Sequence, residues 1–576
     1  MRELKNTYQL WYPIAFFSTL LTAITSYFLI KYTWELGTNW GTFEDHLDVI
    51  PLIIQDLLIF KLTNLYQYQD YVIENNYIFR WFLNILIPFF ICLFFSLFIV
   101  FKWLWVKGGI DKAIHISGSR LFKEEFAIKH AKKALKKELK NSTSIGLNLH
   151  PQIAISEMQG VGNLLVTGAQ GSGKSTVVKP LVKAILNTKD LMLIYDAKRE
   201  YTPLILKKGH LLLSPTDKRS LCWDIAADVT TPEIAYEIAS CFISKSEKEP
   251  IWGDGARLIL TGCMVSLNRD KANWSWDDLN NTLDKPIDEL KELFDKHYPK
   301  ASKLIAEDSN TTKSFIMEMT TQLHWLGSVS KIWTKASQHK FSITKWVKGH
   351  YKIQSLIIAN DPMYSAISAP LCSAVLSIVV REVLSLPDND YRKYWFVLDE
   401  LADLPKNKSL DKWLSLGRSK GARTIAGTQN ISQIQEIYGD KVTENLTSLF
   451  SNIITLKIGL SAETAKKTAD NLGKRLVKRA TINFDKEGNR STSYQQSEEY
   501  IVRPEQLMQL PSPNKKGIAG YLSVSGWNAI YKLVWPYPDL EIIAEAHLPV
   551  ELNEYVEKVE TNRLKRGTRG RSTSVN

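Results

Sequence analysis

The chain has 576 residues, of which 45% are hydrophobic and 23% are charged, and these values are typical of folded globular proteins. This composition excludes a largely disordered or fibrous chain, and the length predicts more than one domain. The formal net charge of +12 predicts contact with a polyanion, either nucleic acid or an anionic membrane surface. Basic side chains that serve only solubility are the alternative. The five cysteines include no C-x-x-C pair, so we predict neither a zinc site nor a disulfide framework.

Two uncharged stretches lie near the N-terminus, at residues 11–30 and 81–101. Each is long enough to cross a bilayer core of about 30 Å, and aromatic residues stand at the edges of both. They predict two transmembrane spans within residues 1–107. The apolar run at 50–62 is interrupted by charges, so we predict a helix that contacts a partner and not a third span.

The loops around these spans differ in charge. Residues 32–79 carry one lysine and seven acidic side chains, whereas residues 102–140 carry eleven Lys/Arg and four acidic side chains. Because basic loops stay on the cytoplasmic side, both termini are predicted to be cytoplasmic and the 32–79 loop to be external.

Residues 168–175 read Gly-Ala-Gln-Gly-Ser-Gly-Lys-Ser and match the phosphate-binding pattern G-x-x-x-x-G-K-[ST]. Glycines let several backbone N–H groups point at one phosphate chain, and the helix that follows favours anions at its N-terminus. In this pattern Lys174 contacts the β- and γ-phosphates, and the Ser175 hydroxyl is a Mg²⁺ ligand. The alternative is a glycine-rich turn without a ligand. The predicted nucleotide-contacting residues are Gly168, Gly171, Ser172, Gly173, Lys174, Ser175 and Thr176.

Short apolar runs after residue 108 alternate with helical stretches, which indicates an α/β fold with a parallel sheet. Ligands bind such sheets at the carboxyl ends of the strands. The predicted strands are 164–167, 191–195, 211–213, 356–359, 395–398, 424–426 and 453–457.

The strand predicted at 395–398 is followed by Asp399 and Glu400. An acidic pair in this position is the second half of a nucleoside triphosphatase site. Asp399 would hold Mg²⁺, and Glu400 would orient or deprotonate the attacking water. Taken alone, two solvated acids at a strand end are the alternative.

Two further polar residues are catalytic candidates. Gln429 follows the predicted strand 424–426, where an amide can sense the γ-phosphate, although a polar turn is the alternative. Arg418 is a candidate arginine finger that would reach a neighbouring subunit, and a solvated surface arginine is the alternative.

Several of these segments together resemble the type IV secretion coupling proteins, the TraD/TrwB class of conjugation ATPases. The most specific are Asp-Glu-Leu-Ala-Asp-Leu-Pro at 399–405 and Gly-Thr-Gln at 427–429. Ser-Pro-Thr-Asp-Lys-Arg at 214–219 and Ile-Trp-Gly-Asp-Gly-Ala-Arg at 251–257 also fit. The likeness extends over most of residues 10–540.

The resemblance implies a domain plan. A RecA-like P-loop nucleotide-binding domain, related to the FtsK and HerA translocases, would occupy 108–229 and 341–550, with an inserted all-α domain at 230–340. Residues 1–107 would form the two-helix transmembrane region. Some relatives end in a long acidic tail, whereas residues 551–576 are basic and are predicted to be disordered, with DNA contact as the alternative.

The resemblance also implies a homo-hexameric ATPase at the bacterial inner membrane that uses ATP and Mg²⁺. It would recruit a relaxase–DNA complex, with the DNA single-stranded, or a secreted protein, and deliver it to the components of a type IV secretion channel. Lys174, Asp399, Glu400 and Gln429 would carry the chemistry, with Arg418 acting in trans and Ser175 and Asp399 at the metal. A docking receptor that does not hydrolyse nucleotide and an FtsK-like DNA translocase remain open.

Overall fold

The computed structural model divides into two units of dense internal contact. One consists of Met1–His115 with Val477–Ser497, and the other of Ile116–Leu476 with Glu498–Asn576. The predicted basic tail at 551–576 lies outside the described residues. The structure describes residues 2–34, 41–104, 113–140, 144–160, 162–188, 190–207, 210–244, 249–306, 308–335, 340–361, 364–389, 392–404, 408–484 and 490–550.

Two long helices form most of the first unit. They are Arg2–Trp34 and Ile87–Leu104, and the second is preceded by the short helix Ile78–Trp81 and a π turn at Phe82–Leu86. The two helices pack on each other, and the buried hydroxyl groups of Thr22 and Ser96 share a hydrogen bond. Hydroxyl pairs of this kind hold helices together in an apolar surrounding.

Two segments here are long and apolar enough to cross a membrane. One is Ala15–Trp34 in the first helix, and the other is Ile78–Val100, which runs from the short helix through the π turn into the second long helix. These segments overlap the spans predicted at 11–30 and 81–101. Their orientation across a membrane stays a prediction.

The predicted external loop forms three helices, Phe43–Leu47, Val49–Leu58 and Thr63–Glu74. The middle helix, Val49–Leu58, covers most of the stretch 50–62 in which the sequence predicts a helix. Its apolar side chains are exposed, with Ile54 at 52% and Leu58 at 77%. A partner for this helix stays a prediction.

A ten-stranded sheet forms the centre of the second unit. All seven strands predicted from the sequence are neighbours in it and run parallel. The other three strands, which were not predicted, extend one edge, where two antiparallel pairings follow the parallel block. In spatial order the strands are Arg120–Lys123, Ala529–Trp535, Ile518–Val524, Asn452–Thr455, Leu164–Thr167, Ala422–Thr428, Tyr394–Leu398, Leu191–Asp196, Ser355–Ala359 and Leu211–Leu213.

Each face of the sheet carries its own hydrophobic core. Along the strand Leu191–Asp196, Met192 and Ile194 enter one core, whereas Leu193 and Tyr195 enter the other. Because successive side chains of a strand point to opposite faces, a strand buried on both sides reads as a continuous apolar run. This explains why these strands are recognisable in the sequence.

The remaining strands form small sheets. Ile114–Ser117, Lys474–Phe484 and Arg490–Tyr500 make a three-stranded sheet, and Ile145–His150 pairs with Ile153–Ser156. Cys222–Trp223 pairs in parallel with Lys340–Phe341.

Helices cover the sheet and fill the stretch predicted as an all-α domain. Outside that stretch they are Glu124–Glu138, Glu157–Gly160, Lys174–Leu186, Thr202–Ile205, Ile225–Asp228, Ile343–Val347, Ser365–Ser385, Leu401–Asp403, Lys408–Leu416, Gly417–Lys420, Ile431–Tyr438, Asp440–Ser448, Ala462–Leu472 and Pro504–Met508. Within it they are Pro232–Phe242, Pro250–Asp270, Trp276–Leu283, Ile287–His297, Pro299–Ser302, Asn310–Gln322 and Leu326–Lys335.

The helix Ser365–Ser385 is also long and apolar enough to span a membrane. Its most apolar window is 78% buried within the protein. Valines and leucines of this helix share a core with the sheet strands, so it is a core helix of the second unit.

The helices between 232 and 335 share one continuous core with the sheet. A separate all-α domain at 230–340 therefore stays a prediction. The chain enters and leaves this stretch side by side, because Cys222–Trp223 pairs with Lys340–Phe341.

Asp228 links the two chain segments that enter and leave the helical stretch. Its buried carboxylate accepts hydrogen bonds from Trp223 Nε1 at 2.7 Å and Ser342 Oγ at 2.6 Å, and also from the N–H groups of Ile343 and Thr344. Burial raises the pKa of Asp228. One carboxylate thus fixes both ends of the helical stretch.

We expect Asp228→Ala to lower the free energy of unfolding by about 3 kcal/mol, because four donors, three of them buried, lose their acceptor. Urea unfolding of the full chain, followed by tryptophan fluorescence, measures this loss. Asp288→Ala removes an exposed carboxylate in the same stretch and should change stability by less than about 0.5 kcal/mol. Equal stability of the two variants would contradict a joining role for Asp228.

Candidate functional site

The predicted phosphate loop connects the central strand Leu164–Thr167 to the helix Lys174–Leu186. Gly173 has φ +96°, a left-handed conformation that side chains other than glycine disfavour. A Cβ at Gly173 would also lie 2.6 Å from Ile518 Cδ1. The local backbone therefore requires the glycine that the pattern predicts.

Two neighbouring strands hold the loop in place. The Gly168 N–H donates to Thr428 O at 3.2 Å, and the Ala169 N–H donates to Lys457 O at 2.8 Å. The loop is thus suspended between the carboxyl ends of Ala422–Thr428 and Asn452–Thr455. Ser172 is buried, and Ser175 and Thr176 are half-buried at the start of the helix.

Lys174 is buried, with 8% of its surface exposed. Its ammonium donates to Gly168 O at 2.7 Å and to Ala169 O at 3.4 Å. Burial lowers the pKa of Lys174, while the negative charges of Glu400 and Asp399 act in the opposite direction. The lysine and the acidic pair are therefore within electrostatic reach of each other at the same edge of the sheet.

Asp399 and Glu400 follow the strand Tyr394–Leu398, and they are only 6% and 1% exposed. Burial raises the pKa of Asp399 to about 6. Burial also raises the pKa of Glu400, against the opposing effects of Lys174 and the Gln429 N–H. The alternative of two solvated acids at a strand end is therefore wrong.

One oxygen of each carboxylate lacks a hydrogen-bond partner within the described chain. These atoms are Asp399 Oδ2 and Glu400 Oε2, and the buried Ser172 Oγ is also unpartnered. Carboxylate and hydroxyl oxygens are the ligands that Mg²⁺ takes in nucleotide sites. The residues present therefore fit a magnesium-bound triphosphate.

Gln429 lies just beyond the strand Ala422–Thr428, and its backbone N–H donates to Glu400 Oε1 at 3.1 Å. Two residues earlier, a Cβ at Gly427 would lie 2.3 Å from Asp399 O. This close approach of two strand ends brings Gln429 beside the acidic pair.

Arg418 lies at the opposite end of the same strand. It is exposed on the short turn Gly417–Lys420, which precedes Ala422–Thr428. A strand of this length spans about 20 Å, so Arg418 is not brought to the site of its own chain. The turn is fixed, because Lys420 pairs with Asp388 at 2.7 Å.

Residues 196–202 also border the site, and sequence reasoning missed them. Lys198, Glu200 and Asp196 all act on the pKa of Asp399, after the effect of burial. An acid directly after a predicted strand was the available signal, since Asp196 follows the run 191–195 just as Asp399 follows 395–398. Asp196 itself has a structural role, because Thr202 Oγ1 and three backbone N–H groups donate to it.

Comparison with known proteins gives consistent matches. A family model described as the type IV secretion-system coupling protein DNA-binding domain matches residues 148–526. Coupling protein TraD of Escherichia coli (strain K12) is 25% identical over 476 residues, which are 80% of this chain and 64% of TraD.

Two solved structures of the coupling protein TrwB share the fold. The unbound form of TrwBdeltaN70 has a TM-score of 0.64 and 22% identity, covering 77% of this chain and 99% of that one. TrwB in complex with ADP and Mg²⁺ has a TM-score of 0.63 and 22% identity, covering 76% and 97%.

We expect Gly427→Ala to reduce nucleotide hydrolysis at least about tenfold, because the added methyl group forces the ends of two strands apart. Gly459→Ala is the matched control, since a Cβ there meets nothing closer than Ala169 Cβ at 4.0 Å. Steady-state hydrolysis by the two purified variants measures the difference. Equal rates would show that the close approach at Gly427 does not matter.

Proposed function

This chain belongs to the type IV secretion-system coupling protein family, and from that premise we propose that it is a membrane-anchored ATPase that transfers substrates into a secretion channel. The observation that carries the proposal is the buried Lys174 facing the buried pair Asp399 and Glu400. A lysine on a glycine loop and two acids at the end of a strand two positions away in the sheet form the core of a hydrolytic site. The complex of TrwB with ADP and Mg²⁺ supports nucleotide binding by the same fold.

Magnesium, bound with the nucleotide, supplies charge neutralisation of the phosphates. Ser175 and Asp399 would hold it. Lys174 binds the β- and γ-phosphates once it leaves the loop carbonyl oxygens.

Glu400 acts on the attacking water in this proposal. One of its oxygens is held by the Gln429 N–H, whereas Oε2 has no well-aligned partner in the described part of the chain and can accept a proton. Burial raises the pKa of Glu400, which makes it a stronger base than a solvated carboxylate. Gln429 connects the state of the γ-phosphate to the position of this base.

The helices Arg2–Trp34 and Ile87–Leu104 would anchor the protein in the bacterial inner membrane, with both termini in the cytoplasm. Their apolar segments support membrane insertion, and the lysine-rich stretch after residue 101 supports the orientation.

The substrate would be single-stranded DNA carried by a relaxase, or a secreted protein. The match to a coupling-protein DNA-binding domain and the net charge of +12 support DNA contact. We further propose a homo-hexamer. The exposed Arg418 on its fixed turn would complete the nucleotide site of a neighbouring subunit.

Two substitutions test the ATPase directly. Lys174→Ala should lose nucleotide binding and substrate transfer, because the phosphates lose their buried cation. Glu400→Gln should keep nucleotide binding within about threefold but lower hydrolysis at least about a hundredfold, because the base is removed. Binding, hydrolysis and donor complementation are measured for both, with membrane insertion as the control. Full transfer by Glu400→Gln would instead favour a docking receptor.

Mixed assemblies test the role of Arg418. Lys174→Ala and Arg418→Ala should each be inactive alone. Assemblies of both variants in equal amounts should recover about a quarter of the wild-type hydrolysis, because some sites then combine an intact lysine with a neighbour's arginine. No recovery would exclude action in trans, and full activity of Arg418→Ala alone would exclude any catalytic role.

A further inference from the structure

We propose that Tyr201 is a positioning residue that holds the Asp399 carboxylate through a hydrogen bond from its phenolic hydroxyl. The inference rests on the proposed function, because Asp399 is the acid placed at the metal. Tyr201 lies outside the phosphate loop, the acidic pair and the other motifs of the sequence. It lies in the segment 196–202 that follows the strand Leu191–Asp196.

The backbone of Tyr201 is fixed from two sides. Its N–H donates to Asp196 Oδ2 at 3.1 Å, and the same oxygen accepts from the Thr202 N–H at 2.7 Å. Two residues earlier, Arg199 has the left-handed φ of +56°, and its guanidinium pairs with Asp361 at 3.2 Å. This turn directs the chain back across the end of the strand.

Strand pairing brings Asp399 to the same place. Leu398 is opposite Tyr195, and the Asp399 N–H donates to Tyr195 O at 3.3 Å. Asp196 and Asp399 are therefore adjacent at the carboxyl ends of two parallel strands. The Tyr201 ring is only 1% exposed and packs in a crevice beside Val182 of the phosphate-loop helix.

The two polar groups are complementary. The Tyr201 hydroxyl and Asp399 Oδ2 are both buried, and neither has a well-aligned hydrogen-bond partner among the residues that the structure describes. The two side chains nevertheless lie within reach of each other, because a contact between the Tyr201 hydroxyl and the Asp399 carboxylate acts on both groups. A buried donor facing a buried acceptor is the arrangement that a small side-chain rotation converts into a hydrogen bond.

This hydrogen bond would fix the orientation of the carboxylate, and both carboxylate oxygens would keep a lone pair that the metal can take. The other charged groups that face Asp399 are Lys198, Glu200, Asp196 and Lys174. Each of these four has a flexible side chain or separate bonds to satisfy, whereas the Tyr201 ring is immobilised by packing. Tyr201 is therefore the group suited to orient the carboxylate before magnesium binds.

The test compares Tyr201→Phe with Tyr195→Phe in the full chain. Tyr195 is a matched control, because it lies near the end of the strand that precedes Tyr201, is 3% exposed, and directs its hydroxyl to Asp403 O at 3.3 Å on the other face of the sheet. Binding of a fluorescent ADP analogue is titrated with Mg²⁺ and repeated in EDTA. Hydrolysis of ATP is titrated with Mg²⁺ in parallel.

For Tyr201→Phe we expect the Mg²⁺ concentration that gives the half-maximal effect to rise about tenfold in both titrations. A change of this size corresponds to the loss of one hydrogen bond to a charged group. Binding of the analogue in EDTA should change less than about twofold, because the phosphate loop is untouched. Tyr195→Phe should follow the wild-type titration. In the Asp399→Asn background, Tyr201→Phe should add no further effect on the binding titration.

Three results would overturn the proposal. One is a wild-type Mg²⁺ titration for Tyr201→Phe, and another is an equal shift for Tyr195→Phe, which would indicate a general packing effect. Both refute the role of Tyr201 while leaving the ATPase intact. In the third, the wild-type chain binds no nucleotide with or without Mg²⁺, and the proposed function then fails together with this inference.

Discussion

The site depends on one electrostatic constraint, which is that a lysine and two carboxylates are held out of water at the same edge of a parallel sheet. Moving such charges from water into a protein costs several kcal/mol each unless a partner compensates. For Lys174 this desolvation cost is offset by hydrogen bonds to loop carbonyl oxygens, and for Glu400 it is offset in part by the hydrogen bond from the Gln429 N–H. Among the described residues Asp399 Oδ2 has no well-aligned hydrogen-bond partner, and burial raises the pKa of Asp399 to about 6. A magnesium-bound triphosphate offers each of these groups an opposite charge.

The sheet makes this arrangement possible because parallel strands end at one edge. The order Leu164–Thr167, Ala422–Thr428, Tyr394–Leu398, Leu191–Asp196 brings the lysine loop, the glutamine, the acidic pair and the Tyr201 segment next to one another. Backbone contacts then fix the spacing. The loop is hydrogen-bonded to two strand ends, and Gly427 lets the glutamine strand approach the Asp399 carbonyl. Asp228 holds the two ends of the helical stretch together, and a shared hydrophobic core joins that stretch to the sheet that carries the site.

Much of this centre was predictable from the sequence, because strands buried on both faces read as apolar runs and the phosphate loop has a specific spacing. The strand Ala529–Trp535 was missed because polar Lys532 interrupts its run and because it lies outside the parallel block, antiparallel to Ile518–Val524. The Tyr201 segment was missed because its meaning depends on strand order, which places Asp196 beside Asp399 only after folding. The position of Arg418 at the far end of its strand likewise follows from topology and not from spacing. The helix Ser365–Ser385 is a further case in which the sequence alone does not decide the structure, because its composition also fits a membrane span.

The central claim is that the lysine loop and the acidic pair form one metal–nucleotide site. Iron-directed cleavage tests it most directly, with Fe²⁺ replacing Mg²⁺ in the presence of ADP and peroxide generating radicals at the metal. The account predicts backbone cuts near both Ser175 and Asp399, each dependent on nucleotide and each suppressed by excess Mg²⁺. Cuts near only one of these two residues, or cuts that do not require nucleotide, would contradict it.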